Sequence, residues 1–329
     1  MKLGAYRIVY LGALALISSY IILCNEPGDA QEKRYPGKPI QVVIPFPAGG
    51  PTDQAARIIV NELTKELGVT ISVEYKAGAG GVIGASYVAT SKPDGYTLLC
   101  TAAGPIIGSP VMDKECTYDP FKDFTPMAYF GISPNILAGH TSSKLVTFED
   151  VVKSAKEKPG GLTCATSGVG TTSHFMLEVM KMYGVEITHV PAKGAAPSLT
   201  NVLGKHVDFV ILLYPPLLPH VKSGDLRLLI ATNKITQEPH VPTMALKGFP
   251  EGESLGAWNG FFAPSNLPKP VFDQLNSSLR KVIQAPSVIT ALEKAGFTAE
   301  YYGPEDFKKR IERDYRVMEK IAKTVGLAK

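Results

Sequence analysis

The feature that most constrains the fold is a unit that recurs along the chain: a short apolar strand, a glycine-rich turn and a helix. The first copy joins the strand QVVIPF to the helix DQAARIIVNELTKELG through the turn PAGG. The second joins ISVEY to ASYVATSK through AGAGGVIG, and another joins LTCATS to SHFMLEVMKMYG through GVGTTS. Alternation of strands with helices is typical of parallel sheets that are covered by helices. The sequence therefore predicts an α/β fold.

The alternating pattern occupies two halves of the chain that share one design. After the strand YTLLCTA, a crossing segment FTPMAYFGISPNILAGH leads to a second set of strands, LTCATS, EITHVP, DFVILL and RLLIAT. A second crossing is predicted near GAWNGFFAPSNLP, and the helices after it are expected to pack on the first half. The sequence thus predicts lobe 1 at residues 31–135 plus 250–329 and lobe 2 at residues 136–249. Within lobe 2, Thr147 and Asp150 have the spacing of a helix capping box.

Residues 1–30 have the composition of a secretory signal peptide. Lys2 and Arg7 precede an apolar stretch at residues 8–23, and a polar segment with small residues follows. An uncleaved membrane anchor stays open as an alternative, because the apolar stretch is only slightly shorter than a span. Lipidation at Cys24 is a third possibility. The signal peptide predicts export to the periplasm.

Composition excludes several function classes. The net charge is +4 over 329 residues, and no basic run carries interleaved aromatic residues, so a nucleic-acid partner is not expected. The histidines and cysteines show no metal-ligand spacing, so the sequence predicts no metal. Cys100, Cys116 and Cys164 are expected to be buried thiols, with Cys100 and Cys116 the pair to test for a disulfide.

The glycine-rich turns suit the binding of an anion. A helix N-terminus presents unpaired N–H groups and the positive end of the dipole, and glycine lets a ligand approach the backbone. A dinucleotide site would need an acidic residue at the end of the next strand, and the turn at Gly168 and Gly170 lacks it. An esterase would need Gly-x-Ser-x-Gly, whereas Ser167 follows Ala165 and Thr166. What remains is a cleft between two lobes that close by hinge motion, with no cofactor.

From PFPAGGPTD onward, the mature chain resembles the substrate-binding proteins of tripartite tricarboxylate transporters, the Bug or TctC family. Further matching motifs are KPDGYTLL at 92–99, GVGTTSH at 168–174, PAKG at 191–194, VPT at 241–243 and WNGFFAP at 258–264. The resemblance implies a two-lobed periplasmic binding protein fold, in which each lobe is a mostly parallel sheet flanked by helices and two hinge crossings join the lobes. It also implies a monomeric extracytoplasmic solute receptor rather than an enzyme.

The resemblance places one carboxylate of the ligand between two loops. The residues of the first loop are Phe46, Ala48, Gly49, Gly50, Thr52 and Asp53. The residues of the second loop are Ser167, Gly168, Gly170, Thr171 and Thr172, with Lys193, Gly194 and Ala195 nearby. Because an acid would repel a carboxylate, Asp53 is interpreted as a helix cap or as a residue that orients a bridging water. Lys193 is either solvated or a partner for a distal anionic group.

Two departures from the family pattern concern the distal pocket. Leu212 and Leu213 stand where many relatives carry a polar or acidic residue, and Ala192 replaces a tyrosine. An apolar wall tolerates rings and chains and gives an ammonium group no partner. The sequence therefore favours an aromatic or aliphatic mono- or dicarboxylate over an amino acid. The alternative is that the leucines belong to the strand core.

Three functional hypotheses follow. The leading one is a receptor that delivers a small organic carboxylate to the membrane permease subunits of a tripartite tricarboxylate-type transporter. The second keeps the binding cleft and makes the chain the periplasmic component of a sensory system, with a sensor protein as its partner. The third and weakest is a hydrolase, for which the sequence offers no convincing pair of nucleophile and base.

Overall fold

A computed structural model describes residues 35–328 of the chain. The predicted signal peptide at residues 1–30 and the predicted alternative of lipidation at Cys24 lie outside the described residues. From residue 38 onward the chain forms one compact unit. The strands and helices below are numbered in chain order within the described range.

Eleven strands are present in the described part of the chain. They are β1 (Ile40–Ile44), β2 (Ile71–Tyr75), β3 (Thr97–Ala102), β4 (Phe124–Ser133), β5 (Asn135–His140), β6 (Thr163–Thr166), β7 (Thr188–Pro191), β8 (Phe209–Leu213), β9 (Leu226–Ala231), β10 (Ala257–Pro264) and β11 (Thr298–Tyr302). The strand predicted at ISVEY matches β2 residue for residue. The buried, apolar β1 and β3 have the character of strands covered on both faces.

Ten α-helices accompany these strands between residues 35 and 328. They are α1 (Pro51–Leu67), α2 (Val82–Ala89), α3 (Ser109–Met112), α4 (Phe148–Glu157), α5 (Thr172–Met182), α6 (Ala195–Leu203), α7 (Tyr214–Lys222), α8 (Lys269–Ile283), α9 (Pro286–Lys294) and α10 (Pro304–Thr324). A π-helical turn, Gly104–Gly108, runs directly into α3. Helix α4 begins with the predicted capping box, because Thr147 and Asp150 each accept the other's backbone N–H.

The strands form two mixed sheets, so the predicted two-lobed α/β fold is confirmed with one difference. The six-stranded sheet has the order β11-β4-β10-β3-β1-β2, and the five-stranded sheet has the order β7-β6-β8-β5-β9. Only β1, β2 and β3 in the first sheet, and β6, β7 and β8 in the second, pair in parallel. The remaining pairings are antiparallel. Neither sheet is therefore mostly parallel, although the family resemblance implied that both would be.

The chain passes between the sheets at two places. At the first, β4 ends at Ser133 in one sheet and β5 begins at Asn135 in the other, which leaves Pro134 alone between them. The return lies between β9 and β10, at residues 232–256. The segment GAWNGFFAPSNLP, predicted as the second crossing, is instead largely β10, which lies between β3 and β4. The lobe boundaries drawn from the sequence stay a proposal.

An aromatic cluster packs the C-terminal helix α10 onto the first sheet. The ring of Phe307, in α10, lies 5.1 Å from Trp258 and 5.1 Å from Phe262, both in β10. It also meets Tyr129 of β4 at 5.7 Å. Gly260 permits this packing, because a Cβ at that position would collide with the Phe307 ring. The C-terminal helix therefore covers the sheet to which the N-terminal strands belong, as predicted.

Candidate functional site

A cavity of about 580 Å³ lies where the two sheets face each other. Its walls come from the residues that follow the parallel strands, and ligands of open α/β sheets bind at such carboxyl ends. Phe46 follows β1, and the segment from Ala102 to Asp113 contains the end of β3 and the turn into α3. On the opposite side, residues 167–173 follow β6, and Leu213 ends β8.

The loop after β6, called the second loop here (residues 167–171), is folded by glycines and a threonine cap. Gly168 and Gly170 have φ angles of 135° and 77°, which L side chains rarely adopt. Thr171 is the N-cap of α5, and its Oγ1 accepts the N–H of His174 at 3.3 Å. The same hydroxyl donates to the carbonyl of Gly168 at 2.8 Å. The loop is therefore closed on itself and leads directly into the helix.

Two stacked histidines lie next to this loop. The N–H of Gly170 donates to Nδ1 of His174 at 3.2 Å, and Nε2 of His174 lies 3.4 Å from Oε1 of Glu178. This geometry assigns the ring proton to Nε2. The imidazole of His189 stacks on His174 at 4.3 Å and shares a 2.7 Å hydrogen bond with Oγ1 of Thr166. Neither histidine contributes a lining atom to the cavity wall.

Burial keeps both histidines neutral near neutral pH. Desolvation lowers the pKa of His174 below its usual range. For His189, burial first and the neighbouring His174 second lower the pKa from 6.5 to about 4. The hydrogen-bond acceptor at the positive end of α5 is therefore the uncharged imidazole of His174 rather than a carboxylate. This leaves the positive end of its dipole available to an anion in the cavity.

Several donors at the start of α5 belong to residues of the cavity wall. The N–H groups of Thr172 and Ser173 lie in the first turn and have no partner within the helix. Oγ1 of Thr172 accepts a hydrogen bond from Nδ2 of Asn135 at 2.8 Å, so its own proton remains for another acceptor. The hydroxyl of Ser167 also belongs to a wall residue. Together these groups form a small cluster of neutral donors.

Asn135 joins this cluster to both crossings between the sheets. It is completely buried and is the first residue of β5, directly after the first crossing. Its Oδ1 accepts from the hydroxyl of Ser173 at 2.7 Å. Its Nδ2 donates to Thr172 and, at 2.7 Å, to the carbonyl of Leu255, which belongs to the return crossing. The start of α5 is therefore anchored at the place where the chain changes sheets.

The loop after β1, called the first loop here (residues 45–50), uses its polar groups within the protein. Asp53 is 3% exposed, and its carboxylate accepts from the N–H of Gly49 and the hydroxyl of Tyr75, each at 2.8 Å. Nε of Arg57 donates to it at 2.9 Å. The hydroxyl of Thr52 donates to Oδ1 of Asn259 in β10 at 3.0 Å. These contacts bind Asp53 within the protein as the third residue of α1, whose N-cap is Gly50, and only Phe46 of this loop lines the cavity.

The predicted site residues divide into two groups. Those that line the cavity are Phe46, Ser167, Gly170, Thr171 and Thr172. Those that lie outside its wall are Ala48, Gly49, Gly50, Thr52, Asp53, Gly168, Lys193, Gly194, Ala195 and Leu212. Leu212 is buried in the core of the second sheet, and its neighbour Leu213 lines the cavity, because successive side chains of a strand point to opposite faces.

Sequence reasoning missed the wall that follows β3. This wall includes Gly104, Ser109, Met112 and Asp113. The glycine- and proline-rich segment GPIIGSP could have indicated this wall. It follows β3, which is parallel to β1, and the carboxyl ends of parallel strands meet at one edge of the sheet. Ala257 and Leu327 also line the cavity, and no local pattern marks them.

Residues 35–328 contain neither a metal-binding cluster nor a helix that could span a membrane. This range holds no group of three or more His, Cys, Asp or Glu side chains that could bind a metal ion. None of its helices combines the length and the apolar character that a membrane span requires. Cys100, Cys116 and Cys164 are buried thiols, as expected, and burial raises the pKa values of Cys100 and Cys164.

Two mixed sheets with a cavity at their facing edges define a solute-binding protein of the two-lobed α/β class. The family of tripartite tricarboxylate transporter receptors matches residues 55–327, and the chain belongs to this family. Protein BugT of Bordetella pertussis is 32% identical over 289 residues, which are 87% of this chain and 88% of that protein.

Solved structures agree with this assignment. R. palustris Rpa4515, solved with adipate, is 32% identical, has a TM-score of 0.79, and matches 89% of this chain and 99% of its own. MatC from Rhodopseudomonas palustris, solved with bound malate, is 28% identical with a TM-score of 0.73, and matches 87% of this chain and 99% of its own. Over 87–89% of its length, the chain is thus similar to two proteins that were solved with small organic acids.

Proposed function

We propose that this chain is a periplasmic receptor that holds one carboxylate of a small organic acid at the start of α5. It delivers the acid to the membrane permease subunits of a tripartite tricarboxylate-type transporter. The observation that carries the proposal is the donor cluster of Ser167, Thr172 and Ser173 at a helix N-terminus in the cavity wall. Family membership and the organic acids in two solved neighbours support the ligand class.

The donor cluster offers a carboxylate several hydrogen bonds, and no described residue of the cavity wall carries a positively charged side chain. A negative charge at a helix N-terminus gains roughly 0.3–1 kcal/mol, and up to about 2 kcal/mol where it is partly buried. A hydrogen bond to a charged group adds about 1.5–3 kcal/mol. Several such donors held in place before the ligand arrives can support micromolar binding, because little ordering cost remains.

The remainder of the wall favours an apolar ligand body. Phe46, Met112, Val169 and Leu213 contribute apolar side chains, and the cavity volume of about 580 Å³ is typical of small-molecule sites. The ligand class favoured is therefore an aliphatic or aromatic carboxylate. This preference, which the sequence attached to Leu212, Leu213 and Ala192, rests on Leu213 and Met112 in the structure.

The chain acts in this proposal as a binding protein without catalytic activity. A hydrolase would need a nucleophile beside a histidine with an available ring nitrogen. Nδ1 of His174 already accepts from Gly170, and its Nε2 faces Glu178. The sensory alternative uses the same cavity and differs only in its partner, and no contact within residues 35–328 favours it.

A thermal-shift screen of residues 31–329 tests the ligand class. The ligands are aliphatic acids of four to eight carbons, the corresponding dicarboxylates, malate, benzoate and amino acids, each paired with its amide. Binding to the native state raises the melting temperature by mass action. We expect a rise with at least one carboxylate and none with its amide. Equal shifts with acid and amide, or a response to α-amino acids alone, would contradict the proposal.

The partner is tested with the permease subunits reconstituted in vesicles. Uptake of the labelled acid should require both the subunits and the loaded receptor. Saturable binding of the acid without any receptor-dependent uptake would favour the sensory alternative.

A further inference from the structure

Among the described residues of the cavity wall, one acidic side chain is the only charged group. Asp113 follows α3 at the far end of the segment after β3, and every other wall residue is apolar, a glycine or a hydroxyl residue. It lies beside Met112, whose Cε is 3.7 Å from the position that a Cβ on Gly170 would occupy. Asp113 therefore belongs to the part of lobe 1 that approaches the second loop.

The turn that follows α3 holds Asp113 in place. Its N–H donates to the carbonyl of Ser109 at 2.8 Å, and its Oδ1 accepts the N–H of Glu115 at 2.9 Å. No lysine, arginine or histidine between residues 35 and 328 forms an ion pair with it. The side chain is half-buried. It therefore contributes a negative charge that no neighbouring side chain neutralises, and one carboxylate oxygen remains for a donor.

Because Asp113 and the start of α5 line the same cavity, a ligand held at α5 shares that cavity with this charge. The donor cluster accommodates one carboxylate, and the rest of the wall offers a second carboxylate no cation. Like charges that share a partly desolvated space repel each other, and water screens this repulsion only in part. A neutral end suffers no such penalty, and a distal ammonium or hydroxyl can donate to Asp113.

We propose that Asp113 determines ligand specificity and makes this receptor select monocarboxylates over dicarboxylates of the same length. This inference rests on the proposed function, because it assumes that the first carboxylate binds at α5. It narrows the ligand class to acids whose distal end is neutral or carries a hydrogen-bond donor. It also separates this chain from R. palustris Rpa4515, which was solved with adipate.

Matched ligands that differ only at the distal end test the inference. Isothermal titration calorimetry compares each monocarboxylate of four to eight carbons with its dicarboxylate and its ω-amino acid, for example hexanoate, adipate and 6-aminohexanoate. We expect the receptor to bind the monocarboxylate at least about tenfold more tightly than the dicarboxylate, as a partly screened charge pair predicts. The ω-amino acid should bind at least as tightly as the monocarboxylate.

The variant Asp113→Asn removes the charge and keeps the size and the acceptor for Glu115. It should bring the two affinities within about threefold of each other, chiefly by tightening dicarboxylate binding, and should weaken the ω-amino acid. The matched control is Glu115→Gln, because Glu115 is an exposed acid in the same turn and lies outside the cavity wall. This control should leave the ratio unchanged.

The outcomes separate this inference from the proposed function. If the unmodified receptor binds mono- and dicarboxylates equally well, or if Asp113→Asn leaves their ratio unchanged, Asp113 does not set specificity, and the carboxylate receptor stands. An equal response to Glu115→Gln would show a general charge effect and overturn the role of Asp113. If no acid of the series binds, the proposed function fails and the inference fails with it.

Discussion

The first and second loops have similar local geometry, and they face the cavity differently. Each follows a parallel strand and leads into a helix through glycines. In each, the third residue of the helix accepts the N–H of the glycine four positions earlier: Asp53 accepts from Gly49, and His174 accepts from Gly170. The acceptor is a carboxylate in the first loop and a neutral imidazole in the second. In the proposed site, this difference is the reason why the start of α5, rather than that of α1, holds the carboxylate.

The physical reason is electrostatic. The Asp53 carboxylate, which is paired with Arg57, lies in the first turn of α1 and compensates the positive end of its dipole, so a second carboxylate there would gain less. The imidazole of His174 performs the same structural task without charge. The start of α5 therefore keeps its positive potential, while the start of α1 is already occupied by the protein's own acid. Glycine-rich turns alone do not distinguish these two cases.

The largest loss of carboxylate affinity is expected when His174, the neutral acceptor of the second loop, is replaced by aspartate, the acceptor of the first loop. His174→Asp keeps an acceptor near Gly170 and adds a negative charge behind the donor cluster. Carboxylate affinity should fall by about 30-fold or more at pH 8, the equivalent of roughly 2 kcal/mol. The matched control His174→Asn keeps a neutral acceptor and should bind within about threefold of the unmodified receptor. Calorimetry measures both, and equal losses in the two variants would refute the electrostatic account.

A smaller effect is expected from the matched threonines at the two helix starts. Thr172→Val removes a donor from the cavity wall and should weaken carboxylate binding about tenfold, since one hydrogen bond to a charged group contributes about 1.5–3 kcal/mol. Thr52→Val removes the bond to Asn259 instead. It should lower the free energy of unfolding by about 1 kcal/mol and leave affinity unchanged. Denaturant unfolding and calorimetry on both variants check this, and a loss of affinity in Thr52→Val would restore the first loop as a ligand contact.

The smallest effect on carboxylate affinity is expected from pH. Through the two histidines next to the second loop, pH acts on the free energy of unfolding. As the pH falls below 6.5, the unfolded chain protonates before the folded one, because His189 titrates at about 4 in the native state and the pKa of His174 is also lowered. Their contribution to stability is therefore complete above pH 6.5 and is lost progressively towards pH 4. Urea unfolding from pH 8 to 4 measures the loss.

His189→Gln serves as the variant for this titration, because it can keep a hydrogen bond to Thr166 and removes one ionisable group. It should flatten the fall in stability between pH 6.5 and 4. The control is His240→Gln, which removes an exposed histidine outside the second loop. If His189→Gln does not change the fall in the free energy of unfolding between pH 6.5 and 4, groups other than His189 cause that fall.

Much of the local structure was predictable because it depends on neighbours in the chain. The strand β2 and the capping box of Thr147 and Asp150 needed only alternation and spacing. Helix α7 was missed because the sequence YPPLLPHVK is rich in proline, although prolines at the first positions of a helix are well tolerated. Strands β4 and β5 were assigned to an irregular crossing because they adjoin each other across Pro134 and belong to different sheets.

The sequence by itself determined the α/β pattern and the glycine-rich turns, since these follow from residues close together in the chain. Tertiary structure decided the rest. Insertion of β10 between β3 and β4 made the first sheet mixed and brought Asn259 to Thr52. Packing between the lobes set Asp113 in the same wall as the start of α5. A hydrogen-bond donor faces either a ligand or a neighbouring side chain. Which of the two it faces depends on residues that are distant in sequence and that only folding brings together.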